Sequence, residues 1–206
     1  MSNGRHAVLA KLEADLPLHR EPWNEPLGSG EHPEAGVLVA LTDEAQPRVV
    51  LGRRAMHLFH HPGEVAFAGG KREAHDPSPW ATALREAYEE VGFPESLPQP
   101  IGELAPLLTR TGFKVYPCVA VVPAEPRLVV DPSEFDSVFL PPLAVFADRQ
   151  VFRLEAMRVG ERTRMVPHYQ VGDDNVWGVT AAVLALLANV AYDAGLELQR
   201  DWNRKP

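Results

Sequence analysis

The chain has 206 residues, 45% of them hydrophobic and 23% charged, enough to bury the core of one domain with short appendages. A net charge of −8 excludes a sequence-independent nucleic-acid binder, which needs a basic surface, but allows a small phosphorylated substrate met through a divalent cation. The single cysteine, Cys118, excludes a disulfide framework and a cysteine metal cluster, and no apolar run is long enough to span a bilayer. Lys11, Glu13 and Asp15 interrupt the N-terminus, which therefore does not read as a secretory signal, and the composition suits a cytoplasmic protein.

Val8, Leu9, Leu12 and Leu16 recur at helical spacing and predict a short amphipathic helix. The proline- and glycine-bearing residues 17–33 read as an irregular connector. Residues 36–42 and 48–53 are strand-like and flank a turn-rich stretch, residues 43–47, so they are expected to form a hairpin. A His- and Gly-rich loop, residues 57–63, leads into a short strand at 65–68, which Gly69 and Gly70 are expected to break. Pro77 and Pro79 precede a helix from Trp80 to about Val91, stopped by Gly92 and Pro94. Residues 101–108 and 113–122 read as strands about a Thr111-Gly112 turn, and residues 151–159 and 162–169 as a second hairpin turning at Gly160-Glu161. Residues 177–194, almost continuous in Ala, Val and Leu, predict a largely buried helix belonging either to the core or to a homodimer surface. The expected organisation is a helix and connector over residues 1–34, a folded domain over 35–195 and a tail over 196–206. The class is α+β, or a layered α/β/α domain.

Glu86, Glu89 and Glu90 stand at i, i+3 and i+4 and share one helix face, while Leu84, Ala87 and Val91 point inward. Each like-charge i,i+4 pair costs a few tenths of a kcal/mol, roughly, in an isolated helix, and a hard divalent cation removes that cost. An acidic triplet alone is most often solvated surface charge. What precedes it changes the weighting.

Gly70, Asp76 and the run Arg85-Glu86-Ala87-Tyr88-Glu89-Glu90-Val91-Gly92-Phe93 resemble the Nudix box, G-x5-E-x7-R-E-U-x-E-E-x-G-U with U apolar. Every specified position of the second half matches. In the first half Asp76 replaces Glu, with eight residues rather than seven before Arg85, a spacing that resembles the coenzyme A pyrophosphatase variant. Arg54-Ala55, Leu58, His61-Pro62-Gly63, Val65, Phe67 and Gly69-Gly70-Lys71 are similar to that subfamily's further signature, as are parts of residues 134–143 and 177–181. Phe59, Glu64 and Ala68 depart from it, where Arg, Gln and Pro are usual.

The resemblance implies an α/β/α sandwich with a mixed central sheet. It implies that Glu86 and Glu90 hold a catalytic Mg²⁺ or Mn²⁺, with Glu89 as a direct or water-mediated ligand and the Gly70 carbonyl as another. The general base is Glu89, Glu86 or the downstream Glu134, which is otherwise an ordinary loop acid. Arg85 orients the glutamates, or is a plain helix-surface ion pair. Arg53, Arg54, Lys71 and Arg72 are candidates to hold substrate phosphates, or are solvated charges. His61 resembles the signature histidine, and the spacing of His57, His60 and His61 is not that of a zinc site. Cys118 reads as an inert buried residue and Trp177 as core packing. The function implied is hydrolysis of coenzyme A or its thioesters to 3',5'-ADP and a 4'-phosphopantetheine product. A pyrophosphatase for another nucleoside diphosphate derivative such as ADP-ribose, or a non-catalytic binding module of the same fold, are the alternatives.

Overall fold

The computed structural model describes residues 5–24, 26–159 and 162–198. The periodic N-terminal segment forms α1 (Ala7–Asp15). After the connector come β1 (Glu34–Thr42), β2 (Leu51–Arg54), β3 (Val65–Ala66), β4 (Ala68–Lys71) and α2 (Pro79–Val91). The strands β5 (Gln99–Glu103), β6 (Leu107–Leu108), β7 (Lys114–Val122) and β8 (Phe135–Phe139) follow, then a 3-10 turn at Leu143–Ala147. The chain ends in β9 (Phe152–Val159), β10 (Arg162–Val171), β11 (Asp174–Trp177) and α3 (Gly178–Tyr192). The expected turn at Gly160-Glu161 lies outside the described residues, as does the expected tail from residue 199 onward.

The central sheet has the order β4-β1-β7-β5, with β6 also on β7. Only β1 and β7 run parallel, so the sheet is mixed. Alternation along β1 and β7 sorts the core into two layers. Leu38, Ala40, Cys118 and Ala120 meet Trp80, Ala83, Ala87 and Val91 of α2 on one face. Val39, Leu41, Val119 and Val121 meet Leu9 and Leu12 of α1 and the apolar side of α3 on the other. This is an α/β/α sandwich, and α3 is a core helix, with Leu184, Leu187 and Ala188 fully buried. Leu196, in the expected tail, is buried as well and is held by both amide atoms of Asn189.

The expected hairpin of residues 36–42 and 48–53 forms only at its closed end. Thr42 donates its N–H to Arg48 and Val50 to Ala40, and one bridge joins Leu41 to Val49. Beyond that point β1 has no free edge, because β4 covers Ala35 to Leu38 and β7 runs along the other side. The second strand therefore leaves and forms a separate antiparallel sheet, β3-β2-β8. The expected strand at 65–68 likewise divides, β3 pairing with β2 and β4 with β1.

Gly69 and Gly70 do not break this strand but lie inside β4, opposite Val37 and Gly36. Their value is close approach. A Cβ on Gly69 would overlap the Gly36 carbonyl, and one on Gly70 would overlap the Glu86 carboxylate.

Helix α2 begins and ends where local chemistry dictates. The Ser78 hydroxyl accepts the Ala81 N–H at 3.2 Å, Pro79 occupies the first turn, and Gly92 closes the helix at φ 73°. The first turn presses on β1 so tightly that a Cβ on Gly36 would come within 2.5 Å of the Pro79 carbonyl oxygen. Gly36→Ala is expected to cost about 1–3 kcal/mol by overpacking. Urea denaturation checks this, and an unchanged midpoint would show that helix and strand separate freely.

A third sheet, β11-β10-β9, stands beside β3 and carries the long hairpin expected near residues 151–169. No helix among the described residues is long and apolar enough to cross a membrane.

Candidate active site

The central layer brings α2 against β4, and the candidate site forms where the two meet. Glu90 is almost fully buried, and its carboxylate accepts the Gly69 N–H at 2.9 Å. Glu86, one turn earlier, lies over Gly70. The Gly-Gly pair thus lets two carboxylates descend onto bare backbone.

Arg85 is the hub of the arrangement. Its Nε and Nη2 bind the two oxygens of Asp76 at 3.1 and 3.0 Å, and Nη2 also donates to the Lys71 carbonyl. Nη1 reaches Glu86 and Glu89, each at 3.0 Å. Asp76 is itself buried and accepts the Glu73 N–H and the Thr82 hydroxyl, both at 2.9 Å. Arg85 therefore joins the loop after β4 to the acidic face, which is more than a surface ion pair.

Asp76 and Thr82 were absent from the candidate site residues drawn from sequence. The signal for Asp76 was its place in the first half of the box. Thr82 carried none, since a lone threonine in a helix announces no partner.

A third acid joins from the other side. Glu134 precedes β8, and its backbone carbonyl accepts the Ala55 N–H. Its carboxylate lies 3.4 Å from Arg54 and acts electrostatically on both Glu86 and Glu90. Burial pushes Glu90 up to about 8; the Gly69 N–H opposes this, while repulsion from Glu86 and Glu134 adds to it. Burial also raises Glu86, against the pull of Arg85.

The basic candidates separate. Arg53 is committed to Asp174, with two contacts of 2.6 Å, to Ser137 at 2.9 Å, and to the Phe139 ring, so it ties β2 to β11. Arg72 is paired with Glu34 and stacked on Trp23. Lys71 is exposed at the end of β4, its ammonium 5.3 Å from the centre of the Phe113 ring. His61 lies on the exposed loop between β2 and β3 with Nδ1 2.9 Å from Glu64. Of these, Arg54 reaches Glu134 and acts electrostatically on Glu90. A cavity of about 140 Å³ lined by Trp23, Trp80, Glu103 and Tyr116 lies at the start of α2, nearly two helical turns before Glu86.

The chain has relatives among known proteins. A family model described as the NUDIX domain matches residues 32–159. The chain belongs to the Nudix family. This Nudix hydrolase is 35% identical over 182 residues to the uncharacterized Nudix hydrolase NudL of Shigella flexneri, an alignment covering 83% of this chain and 85% of that protein. A NudL of an Enterobacter species is 37% identical over 160 residues, covering 75% of this chain and 81% of its own. Among solved structures, a Nudix hydrolase from Alicyclobacillus acidocaldarius aligns over 78% of this chain and 93% of its own, with TM-score 0.49 and 19% identity.

Nudix hydrolases generally use divalent metals. Among the described residues, no three His, Cys, Asp or Glu side chains stand together at ligand spacing, and Glu86 and Glu89 both contact Arg85. The donor chemistry nevertheless suits a hard dication. The Glu90 and Glu86 carboxylates lie against Gly69 and Gly70, and burial, with repulsion from Glu86 and Glu134 added to it, raises Glu90 to about 8.

Proposed function

We propose that the chain is a Mg²⁺- or Mn²⁺-dependent pyrophosphatase that cleaves the phosphoanhydride of coenzyme A or its derivatives, giving 3',5'-ADP and 4'-phosphopantetheine. The observation that carries the chemistry is the pair of carboxylates Glu86 and Glu90 set against the Gly69-Gly70 backbone, with Glu134 close enough to act on both electrostatically. In this reading Glu86, Glu90 and the Gly70 carbonyl would hold the metal, with Glu89 as a further direct or water-mediated ligand. The cation supplies Lewis-acid chemistry, offsetting charge on phosphate oxygens and acidifying water. Arg85 orients Glu86 and Glu89 through a guanidinium fixed at its other edge by Asp76. Glu134 accepts the proton of the attacking water from a position beside the metal ligands. Arg54, beside Glu134, meets the substrate phosphates, with the exposed Lys71 and His61 as further cations for them, whereas Arg53 serves the fold through Asp174.

The resemblance to the coenzyme A subfamily supports the substrate, since its matching residues run from Arg54, beside Glu134, to Gly69 and Gly70, against Glu90 and Glu86. A second reading, another nucleoside diphosphate derivative such as ADP-ribose, draws on the same loop. Glu64 stands where the subfamily has Gln and takes hold of His61, while Phe59 is 91% exposed.

Product analysis with purified protein, Mg²⁺ or Mn²⁺ and a panel of coenzyme A, acyl-coenzyme A, ADP-ribose, NADH and dinucleoside polyphosphates tests this. Metal-dependent release of 3',5'-ADP, fastest from coenzyme A or its thioesters, is the expected result. Faster cleavage of another panel member would replace the substrate but keep the chemistry, and no turnover of any would return the binding-module alternative.

A further inference from the structure

We propose that Arg54 is the resident counter-cation of the carboxylate cluster, displaced when a divalent cation binds and then turned to the substrate phosphates. The inference rests on the metal-dependent reading above.

It begins with two adjacent arginines of identical chemistry and opposite fates. The register of β2 against β8 shifts between Arg53 and Arg54, a bulge that re-aims the second side chain. Arg53 is saturated by Asp174, Ser137 and Phe139. Arg54 has one long contact, 3.4 Å to Glu134, and its buried Nε has no hydrogen-bond partner. A guanidinium carries five N–H donors, and one left unmade within the protein is costly. Such a loosely held group is easily moved.

Its setting explains why it stays there without metal. Glu86, Glu90 and Glu134 are like charges within electrostatic reach of one another, and Arg54 lies beside them, 3.4 Å from Glu134. Arg85 is committed to Asp76, Glu86, Glu89 and the Lys71 carbonyl, so its donors are already engaged. A dication held by Glu86 and Glu90 takes over the neutralisation and repels the guanidinium beside them. The substrate then offers what Arg54 lacks, a planar set of anionic oxygens suited to its fork. The exchange leaves Glu134 without its ion-pair partner as the substrate arrives, coupling substrate entry to release of that carboxylate.

The test uses the full chain with Arg54→Gln and Arg54→Lys, each checked for folding by thermal melting. Mn²⁺ is titrated without substrate by electron paramagnetic resonance, and KM and kcat are measured on whichever panel substrate the wild type cleaves. Arg54→Gln is expected to bind Mn²⁺ about tenfold more tightly, because a competing positive charge is gone, while KM rises about tenfold or more. Arg54→Lys keeps the charge and so the wild-type Mn²⁺ affinity, but its KM also rises because an ammonium lacks the fork. Unchanged or weaker Mn²⁺ binding by folded Arg54→Gln overturns the counter-cation role, and an unchanged KM in both variants overturns the turn to phosphate. Failure of the wild type itself to bind Mn²⁺ or cleave any substrate overturns the underlying metal reading instead.

Discussion

Glu90→Gln is expected to lower turnover by a factor of about 10³ or more while making the metal-free protein more stable at alkaline pH. The activity loss follows from removing a proposed metal ligand worth several kcal/mol, roughly, of transition-state stabilisation. The stability gain follows from linkage. Burial raises Glu90 from an ordinary 4.5 to about 8 in the folded chain. Between those values the folded state holds a proton that the unfolded state has lost, so stability falls as pH rises through the window. At 1.36 kcal/mol per pKa unit the full effect is on the order of 5 kcal/mol. Gln is neutral throughout and retains an oxygen to accept the Gly69 N–H, so the variant is relieved of this penalty. For a chain of this size the change is roughly 10 °C in melting temperature. Melting curves of the metal-free wild type at pH 5 and pH 8.5 should therefore separate, while those of Glu90→Gln should lie closer together. Mg²⁺ or Mn²⁺ should raise the wild type most at the alkaline end, since binding there displaces no proton. Parallel wild-type and variant profiles, or equal turnover, would remove Glu90 from the centre.

What was legible in the chain beforehand divides along the range of the forces involved. Helix α2 was readable because its signals are local: Pro79 at the start, Gly92 at the end, and apolar residues recurring between. The same locality placed Glu86, Glu89 and Glu90 on one face. Strand pairing is settled elsewhere. Residues 36–42 and 48–53 have the composition of a hairpin, yet β1 had both edges claimed, by β4 and by β7 some 80 residues away, as the Gly36–Tyr116 pairing shows. Gly69 and Gly70 have the wrong intrinsic preference for a strand interior, and the close approach of Gly36 and Glu86 overrode it. The short strands β8 and β11 passed unseen because each holds only a few residues, with Asp136, Ser137, Asp174 and Asn175 among them. Arg53 and Arg54 are indistinguishable side by side in sequence. Their difference arises from Asp174, which lies 121 residues from Arg53. Spacing thus singled out the acidic helix, whereas the assignment of each cation to its anion required the tertiary fold.

That dependence is strongest at Arg85, where removing one side chain reaches stability and activity together. Burial alone would raise Asp76, but the Arg85 fork, the Glu73 N–H and the Thr82 hydroxyl outweigh it and hold its pKa below the ordinary carboxylate value. The Asp76 side chain is 2% exposed and that of Arg85 13%, so solvent does little to screen the pair. Arg85→Ala leaves a buried carboxylate without its counter-charge and is expected to cost about 3 kcal/mol or more. The sign of the pH dependence should reverse. In the wild type, Asp76 contributes stability that is present above its unfolded pKa near 3.8 and lost as pH falls through the lower folded value. In the variant the unpaired acid resists ionisation, so its contribution becomes unfavourable as pH rises. The difference between the two proteins should therefore widen from pH 4 to pH 7 in urea denaturation. Activity should fall about a hundredfold or more, because Glu86 and Glu89 lose the group that orients them. Arg85→Lys should recover part of the charge but not the simultaneous grip on Asp76 and the glutamates, which needs the guanidinium's separate edges. A loss under about 1 kcal/mol, independent of pH, would mean that Arg85 is only a surface ion pair. The buried Asp76 beneath it argues for the larger effect.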